Sequence, residues 1–512
     1  MPASAAPSRT RGPSRAGRVL IGVLLVLAIV AVAVPVGLFA LPGAATGGSP
    51  SADDVAAVPA QRTPTALAAP VDPGIAAGGT PSSGMSPNSL PSSGATGGST
   101  GITTAPLPTA AGVAAALAAA RTAAPGVDVS AAVLDAATGR SVHQDGAAEP
   151  RLPASNLKLL SSLAILTTLD PQSRLTTAAV RGTGRGDVVL VGAGDVMLGS
   201  GASNASAIQG HAGLQTLAAR TAVSLRAAGV TGTVRVSVDT TRFSGPALNP
   251  AWYADDVAAG QIGAVGPLAL WSGHTRPDAA PGERPTDPAL AAGQAFATAL
   301  RAALGSTADV APAVTRTAAP VRSAAARLGA VDSATVGEQV QWLLEHSDND
   351  VAEALTRVAA RAAGRSTDPA GTAAFVRDTV TRLGLDTRGL VITDACGLAD
   401  SNRVSAATLA GAMRRIVTDG RFGDAVAGLP VAGLTGTLDD RFTGDADAAG
   451  AGVVRAKTGT LNEASTLTGY VMDRDGRLLV FAFMASNPPG ATAAARGALD
   501  RAAAALAGCG CR

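Results

Sequence analysis

Lysine is nearly missing from this 512-residue chain: of 40 basic residues, 38 are arginine, and only Lys158 and Lys457 are lysine. Aromatic residues make up 3%, so any core must be built from alanine, valine and leucine rather than from rings. The net charge is +2, with no long basic tract beyond the N-terminus, which argues against nucleic acid as a partner. The four histidines (His143, His211, His274 and His346) are scattered, and they form no metal-spaced cluster with Cys396, Cys509 and Cys511. An odd cysteine count outside the cytoplasm means one disulfide with a free thiol, or none. A bridge from Cys509 or Cys511 back to Cys396 stays open at this level. What is plentiful is small and apolar: 47% of the residues are hydrophobic, enough at this length for two or three domains with cores.

The N-terminus reads as a targeting element. Arg9, Arg11, Arg15 and Arg18 precede an uncharged run, 19–41, long enough to cross a bilayer as a helix. Arginines before it and none soon after predict a cytoplasmic tail (1–18) and an exported remainder. No clean A-x-A site follows, so the reading is an uncleaved single-pass membrane anchor, with secretion after cleavage as the alternative. Residues 42–108 are dominated by Gly, Ser, Pro, Ala and Thr and cannot bury enough apolar surface to order themselves. They predict a disordered tether with an r.m.s. span of roughly 45 Å.

The folded part starts near Thr109. An Ala-rich helix (110–123) leads to two alternating runs, 127–135 and 140–144, joined by A-A-T-G, which predicts a hairpin. A helix follows from Ser155 to about Leu169. The region from about 178 to 325 mixes short strand-like runs with Pro- and Gly-rich loops and predicts an insertion with its own small sheet. Helices resume from Gly337 to about Leu385. Strands return at 453–459, 466–473 and 477–485, the last two joined by an Asp475-Gly476 turn, and a helix (491–507) closes the chain. Hairpin and helix at the front, strands and helix at the back, predict that the two ends share one sheet. The expected division is a catalytic part, 109–180 with 326–508, around an inserted part, 181–325.

Both lysines lie in segments with chemistry. Lys158 follows Ser155 by three residues at a predicted helix start, so its amine reaches the serine hydroxyl. Serine is a poor nucleophile until a neighbour takes its proton. Lysine does this when burial lowers its pKa, whereas arginine stays protonated. The amides of a helix start also suit a developing oxyanion. Ser347-Asp348-Asn349 opens another helix, where Ser and Asn serve either as caps or as proton relay (Ser347) and holder of a substrate amide (Asn349). Lys457-Thr458-Gly459-Thr460 lies on a strand: a cation and hydroxyls to clamp a carboxylate, and a glycine to leave room for the substrate backbone.

S-x-x-K, S-D-N and K-T-G in this order form the motif set of penicillin-binding proteins and class A β-lactamases. With the runs 186–198, 239–256, 392–406 and 429–442, the chain resembles, over about residues 110–508, the class C low-molecular-mass penicillin-binding proteins. These are the D-alanyl-D-alanine carboxypeptidase/endopeptidase family, peptidase family S13. The resemblance implies an α+β fold, a β-lactamase-like α/β sandwich with a mixed α/β insertion between the nucleophile motif and S-D-N. It further implies attack by Ser155 on the penultimate D-Ala of a peptidoglycan stem peptide, with Lys158 as base and Ser347 helping to protonate the departing D-Ala. Lys457, Thr458 and Thr460 would bind its carboxylate, and the amides of Ser155 and Thr460 would form the oxyanion hole. β-Lactams would acylate Ser155, and no metal or cofactor enters. A β-lactamase is disfavoured because the only glutamate between Asp348 and Lys457 is Glu353, too early to hydrolyse an acyl-enzyme. An esterase, or a non-catalytic wall-binding scaffold with the same fold, competes with the carboxypeptidase. One departure stands out: where the family has D-G-S-G-L-S, this chain has Asp394-Ala395-Cys396-Gly397-Leu398-Ala399, one small residue exchanged for another at Cys396.

Overall fold

The computed structural model describes residues 105–122, 126–321, 325–487 and 490–511. The uncharged run 19–41 and the tether up to residue 104 lie outside the described residues. Among the described residues no helix is long and apolar enough to cross a membrane. In chain order come α1 (Ala110–Thr122), β1 (Asp128–Asp135), β2 (Ser141–Asp145), α2 (Leu157–Thr168), β3 (Arg174–Arg181), β4 (Asp187–Val191), α3 (Leu214–Ala227) and β5 (Arg235–Asp239). They are followed by α4 (Pro288–Leu304), β6 (Arg327–Thr335), α5 (Val336–Glu345), α6 (Asn349–Ala362), α7 (Pro369–Arg382) and α8 (Ala406–Thr418). β7 (Arg455–Leu461), β8 (Ala464–Met472), β9 (Leu478–Ser486) and α9 (Thr492–Ala507) complete the chain, with shorter pieces between.

The main sheet has the order β7-β8-β9-β1-β2, antiparallel at every pairing. The two ends of the folded chain therefore build one sheet. Because successive side chains point to opposite faces, each strand feeds two cores. Ala132, Val480, Ala482 and Met484 pack with leucines of α2 and α8. Ala131, Val133, Leu467, Phe481 and Phe483 pack with Val113 and Leu117 of α1 and Leu499 and Leu506 of α9. Helices thus cover both faces, the predicted α/β sandwich. α2 is the axis of the larger core: every residue from Leu157 to Leu166 is buried, as a helix apolar nearly all round requires. Each of its leucines contributes about 1.5–3 kcal/mol by leaving water, which makes α2 a rigid base for the residues at its N-terminus.

The insertion has its own sheet, β6-β3-β4-β5 with the short edge strand Thr315–Arg316. β4 and β5 are parallel, linked by the crossover helix α3. Val188, Leu190, Val236 and Val238 pack there against Leu214 and Leu217 of α3 and Phe296 and Leu300 of α4. β3, but for its last residue, and all of β6 fall within the expected catalytic part, 109–180 with 326–508. They pair with each other, Ala178 opposite Ala330, and give Ala179, Leu328 and Val331 to the insertion's core. Their small and polar residues alternate weakly, so the strands do not announce which core they serve. Cys509 and Cys511 are joined by a disulfide, and Cys396 is free and buried.

Candidate active site

Ser155 does not open α2 itself but sits in a single 3-10 turn, Ala154–Asn156, that runs into it. Ala154 has a left-handed φ of 46°, a conformation costing a non-glycine residue about 1–2 kcal/mol. The turn is clamped from the sheet: Thr466 Oγ1 donates to the Pro153 carbonyl at 2.8 Å and accepts from the side-chain amide of Asn156. Ser155 is half-buried, and the leading amides of such a turn have no carbonyl partner within the helix.

Lys158, one turn further on, is fully buried. Its Nζ lies 2.9 Å from Ser155 Oγ, 2.6 Å from Asn349 Oδ1 and 2.8 Å from the Cys396 carbonyl oxygen. Those three partners match the three donors of an ammonium group. Burial lowers the Lys158 pKa from its ordinary value, and the acidic groups around it, Cys396, Asp394, Asp348 and Glu353, oppose that shift. The result is an amine tied to the serine hydroxyl and able to lose its proton.

In Ser347-Asp348-Asn349 the cap is the middle residue. Asp348 Oδ1 accepts from the Val351 amide at 3.0 Å and its Oδ2 from Trp342 Nε1 at 3.1 Å. This frees the flanking side chains, and Ser347 is held at a left-handed φ of 57°. Asn349 gives Oδ1 to Lys158 and donates Nδ2 to the Gln261 carbonyl at 2.8 Å. Its oxygen thus orients Lys158, and one N–H of its Nδ2 remains for the substrate amide that the motif assigns to it. Ser347 Oγ accepts from Lys457 Nζ at 2.9 Å, and the same ammonium donates to the Thr458 carbonyl at 2.9 Å. Burial first, then the charges of Lys158 and Arg441, hold the Lys457 pKa well below its ordinary value. The Thr458 hydroxyl bonds Thr437 Oγ1 at 2.7 Å, and Thr460 is exposed further along the strand. β7 is an edge strand. Its Ala456 amide points outward to the Pro430 carbonyl at 3.0 Å, so by alternation the amides of Thr458 and Thr460 face the same open side.

Gly459 does a different job from the one expected. A Cβ there would run into Thr466 Oγ1, the Pro153 carbonyl and Ala154 Cβ. The space is filled by the nucleophile's own turn rather than left for substrate, and the glycine is the joint between strand and turn.

A second layer fixes the Cys396 carbonyl. Asp394 accepts from the amides of Gly397 (2.9 Å), Leu398 (3.0 Å) and Ala399 (2.7 Å), from Asn402 Nδ2 (2.9 Å) and from Trp252 Nε1 (2.9 Å). Glu353 Oε1 accepts from the amides of Ala395 (2.6 Å) and Cys396 (3.0 Å). Burial, then the Asp394 charge, pushes Glu353 up to about 7. The Cys396 thiol lies 3.5 Å from Asp394 Oδ2 and is held well above its usual pKa by burial. Glu353, Asp394 and Cys396 offer ligand atoms within 4.8 Å of one another, but these carboxylates face N–H donors, an environment for anions rather than for a metal cation. Gly397 has φ 89°, and a Cβ on it would meet the Ala154 carbonyl. Gly397→Ala is therefore expected to cost at least about 3 kcal/mol from backbone strain and overlap together. A drop in urea midpoint and loss of Ser155 reactivity check this; an unchanged midpoint would refute the packing argument.

The insertion completes the site through Gln261, Trp252 and Asn249, whose Nδ2 donates to the Thr393 carbonyl at 2.9 Å. Arg284 also pairs with the buried Asp350 at 2.9 Å. A glutamate one turn beyond Asn349 is a signal visible in the sequence. Gln261 acts through its backbone carbonyl, which residue type does not reveal.

Carboxypeptidase DacB of Mycolicibacterium smegmatis is 36% identical over 391 residues, 75% of this chain and 81% of that protein. A carboxypeptidase of Mycobacterium tuberculosis is 36% identical over 385 residues, covering 74% of this chain and 80% of its own length. The crystal structure of penicillin binding protein 4 from Haemophilus influenzae superposes with a TM-score of 0.59 at 15% identity, covering 75% of this chain and 97% of that one. The model of the D-Ala-D-Ala carboxypeptidase 3 (S13) family matches residues 111–289 and 282–506, and the chain belongs to that family.

Proposed function

We propose that the chain is an exported serine D,D-carboxypeptidase that removes the terminal D-Ala of peptidoglycan stem peptides through an acyl-enzyme on Ser155. The same site is open to D,D-endopeptidase action on cross-links. The observation that carries the reading is the buried Lys158 amine 2.9 Å from Ser155 Oγ. Lys158 takes the serine proton as Oγ attacks the carbonyl of the penultimate D-Ala. The amides of Ser155 and Thr460 stabilise the oxyanion. Ser347, bonded to Lys457, relays that proton from Lys158 to the departing amine, while Lys457 and Thr460 meet the terminal carboxylate. Water then releases the acyl group. β-Lactams copy the D-Ala-D-Ala ester-forming geometry and acylate the same serine. Glu353 points into the protein at two amides, away from the position a hydrolytic base of a β-lactamase needs, which supports a long-lived penicilloyl-enzyme. The arginines before run 19–41 support a single-pass anchor with the catalytic part outside the cytoplasm.

Mass spectrometry of pentapeptide stems and of cross-linked dimers after incubation with the purified chain tests this. Tetrapeptide plus free D-Ala is the expected product, and cleaved dimers would add the endopeptidase. Intact substrates together with retained peptidoglycan binding would make the chain a scaffold instead.

A further inference from the structure

A buried acid next to the catalytic groups takes no part in the reaction. Glu353 sits on α6 one turn after Asn349, 2% exposed, and is engaged by two backbone amides of a loop. Those amides belong to Ala395 and Cys396, and the Cys396 carbonyl is one of three partners of Lys158. The peptide that Glu353 grips at its N–H is followed directly by the carbonyl that grips the base. α6 therefore holds Lys158 twice. Asn349 does so directly at 2.6 Å, and Glu353 does so through the Ala395–Cys396 backbone.

We propose that Glu353 is the positioning residue for Lys158: it fixes the Cys396 carbonyl on the amine, and its negative charge sets the pH above which Lys158 serves as base. The inference rests on the carboxypeptidase reading, since it concerns the same amine and serine.

Two lines of argument support it. The first is geometric. A fully buried lysine has one useful orientation only if all its donors are matched, since an unmatched buried donor costs about 1–3 kcal/mol. The loop carrying the Cys396 carbonyl has no regular structure of its own. Its shape comes from Asp394, which collects the amides after it, and from Glu353, which collects the two before the turn. Removing the Glu353 carboxylate leaves two buried amides without an acceptor and lets the loop withdraw from Nζ.

The second is electrostatic. The groups that face this cluster are Lys158, Asp348, Asp394 and Cys396 around the amine, Arg357 along α6 and Lys457 across the cleft. Arg357 is buried, and its Nε and Nη2 atoms lack partners, so its charge reaches Glu353 only through space. Asp394 is saturated by donors, and Asp348 is occupied as a helix cap. Glu353 has a single oxygen engaged by two amides, and burial, then the Asp394 charge, raises its pKa to about 7. When it is ionised, it favours the protonated form of Lys158. When it is neutral, it does not. The proton inventory of the pair, rather than of Lys158 alone, governs when Ser155 is activated.

The test is the pH profile of acylation by a fluorescent penicillin for the wild type, Glu353→Gln, Glu353→Ala and Val376→Ala. Val376 lies in the same core and controls for mere loosening. The glutamine side chain of E353Q still offers an oxygen to the two amides but no charge. The expected result is an acid limb displaced to lower pH by roughly one unit in E353Q. E353A is expected to acylate at least about a hundredfold more slowly at every pH, and V376A to keep the wild-type limb. Coincident limbs in wild type and E353Q, or an E353A rate within threefold of wild type, would overturn the proposal. If E353A fails to fold, the E353Q limb decides alone. A wild type that takes up no penicillin at all would instead sink the carboxypeptidase reading, which keeps the two failures apart.

Discussion

Ser155→Ala takes up no fluorescent penicillin, and its release of D-Ala falls by on the order of 10⁴–10⁶ relative to wild type, the range seen when a nucleophile that acts as part of a unit is removed. The reasoning is local. Ser155 Oγ is the hydroxyl within hydrogen-bond reach of the Lys158 amine, and it stands where the leading amides of its turn and the open edge of β7 converge. The Ser347 hydroxyl is tied to Lys457 instead. The fold should be untouched, because a half-buried hydroxyl is exchanged for hydrogen beside an intact core. A covalent penicillin adduct on the S155A protein, located by peptide mass mapping, would refute the assignment.

Lys158→Met is expected to slow acylation by about 10²–10⁴-fold, the contribution of a positioned general base. Methionine keeps the apolar stem that α2 buries and deletes only the amine. Removing one partner from a buried, hydrogen-bonded charge cluster costs about 3–5 kcal/mol, so unfolding is measured beside acylation. Retained cooperative unfolding with lost acylation then separates chemistry from collapse. Lys158→Arg should be as inactive, because a guanidinium does not give up its proton near neutral pH. Stopped-flow acylation by a chromogenic cephalosporin measures both, and a K158M rate within threefold of wild type would show that another group is the base.

Much of the site could be read from residue types. The two lysines survive in an arginine-dominated chain because their positions need a compact amine, in one case an amine that ionises. The elements carrying them lie within a residue or two of where periodicity puts them. The roles were less legible. Asn349 looks like a ligand for substrate, and its amide also ties Lys158 to the Gln261 backbone. Gly459 looks like clearance for a ligand, yet it is clearance for the Pro153–Ala154 turn. Both differences come from contacts between segments far apart in the chain, which local patterns do not encode. The same holds for β3 and β6, which join the insertion's core although nothing in their alternation favours it over the larger one.

The strand order of the main sheet also has a consequence for how the protein comes into being. β1, made early, pairs along its whole length with β9, Asp128 opposite Ser486, so its partner is nearly the last strand to be synthesised. Until then the hairpin β1-β2 has one free edge and half-built cores on both faces. The insertion, whose strands and helices all lie between Arg174 and Thr335, has no such wait and is able to close around its own apolar residues first. Such long-range pairing makes the final step slow and leaves an unpaired edge exposed meanwhile. The catalytic cleft, which needs β7 beside the turn of Ser155, is thus assembled last, and a chain cut short before β9 has no reactive serine at all.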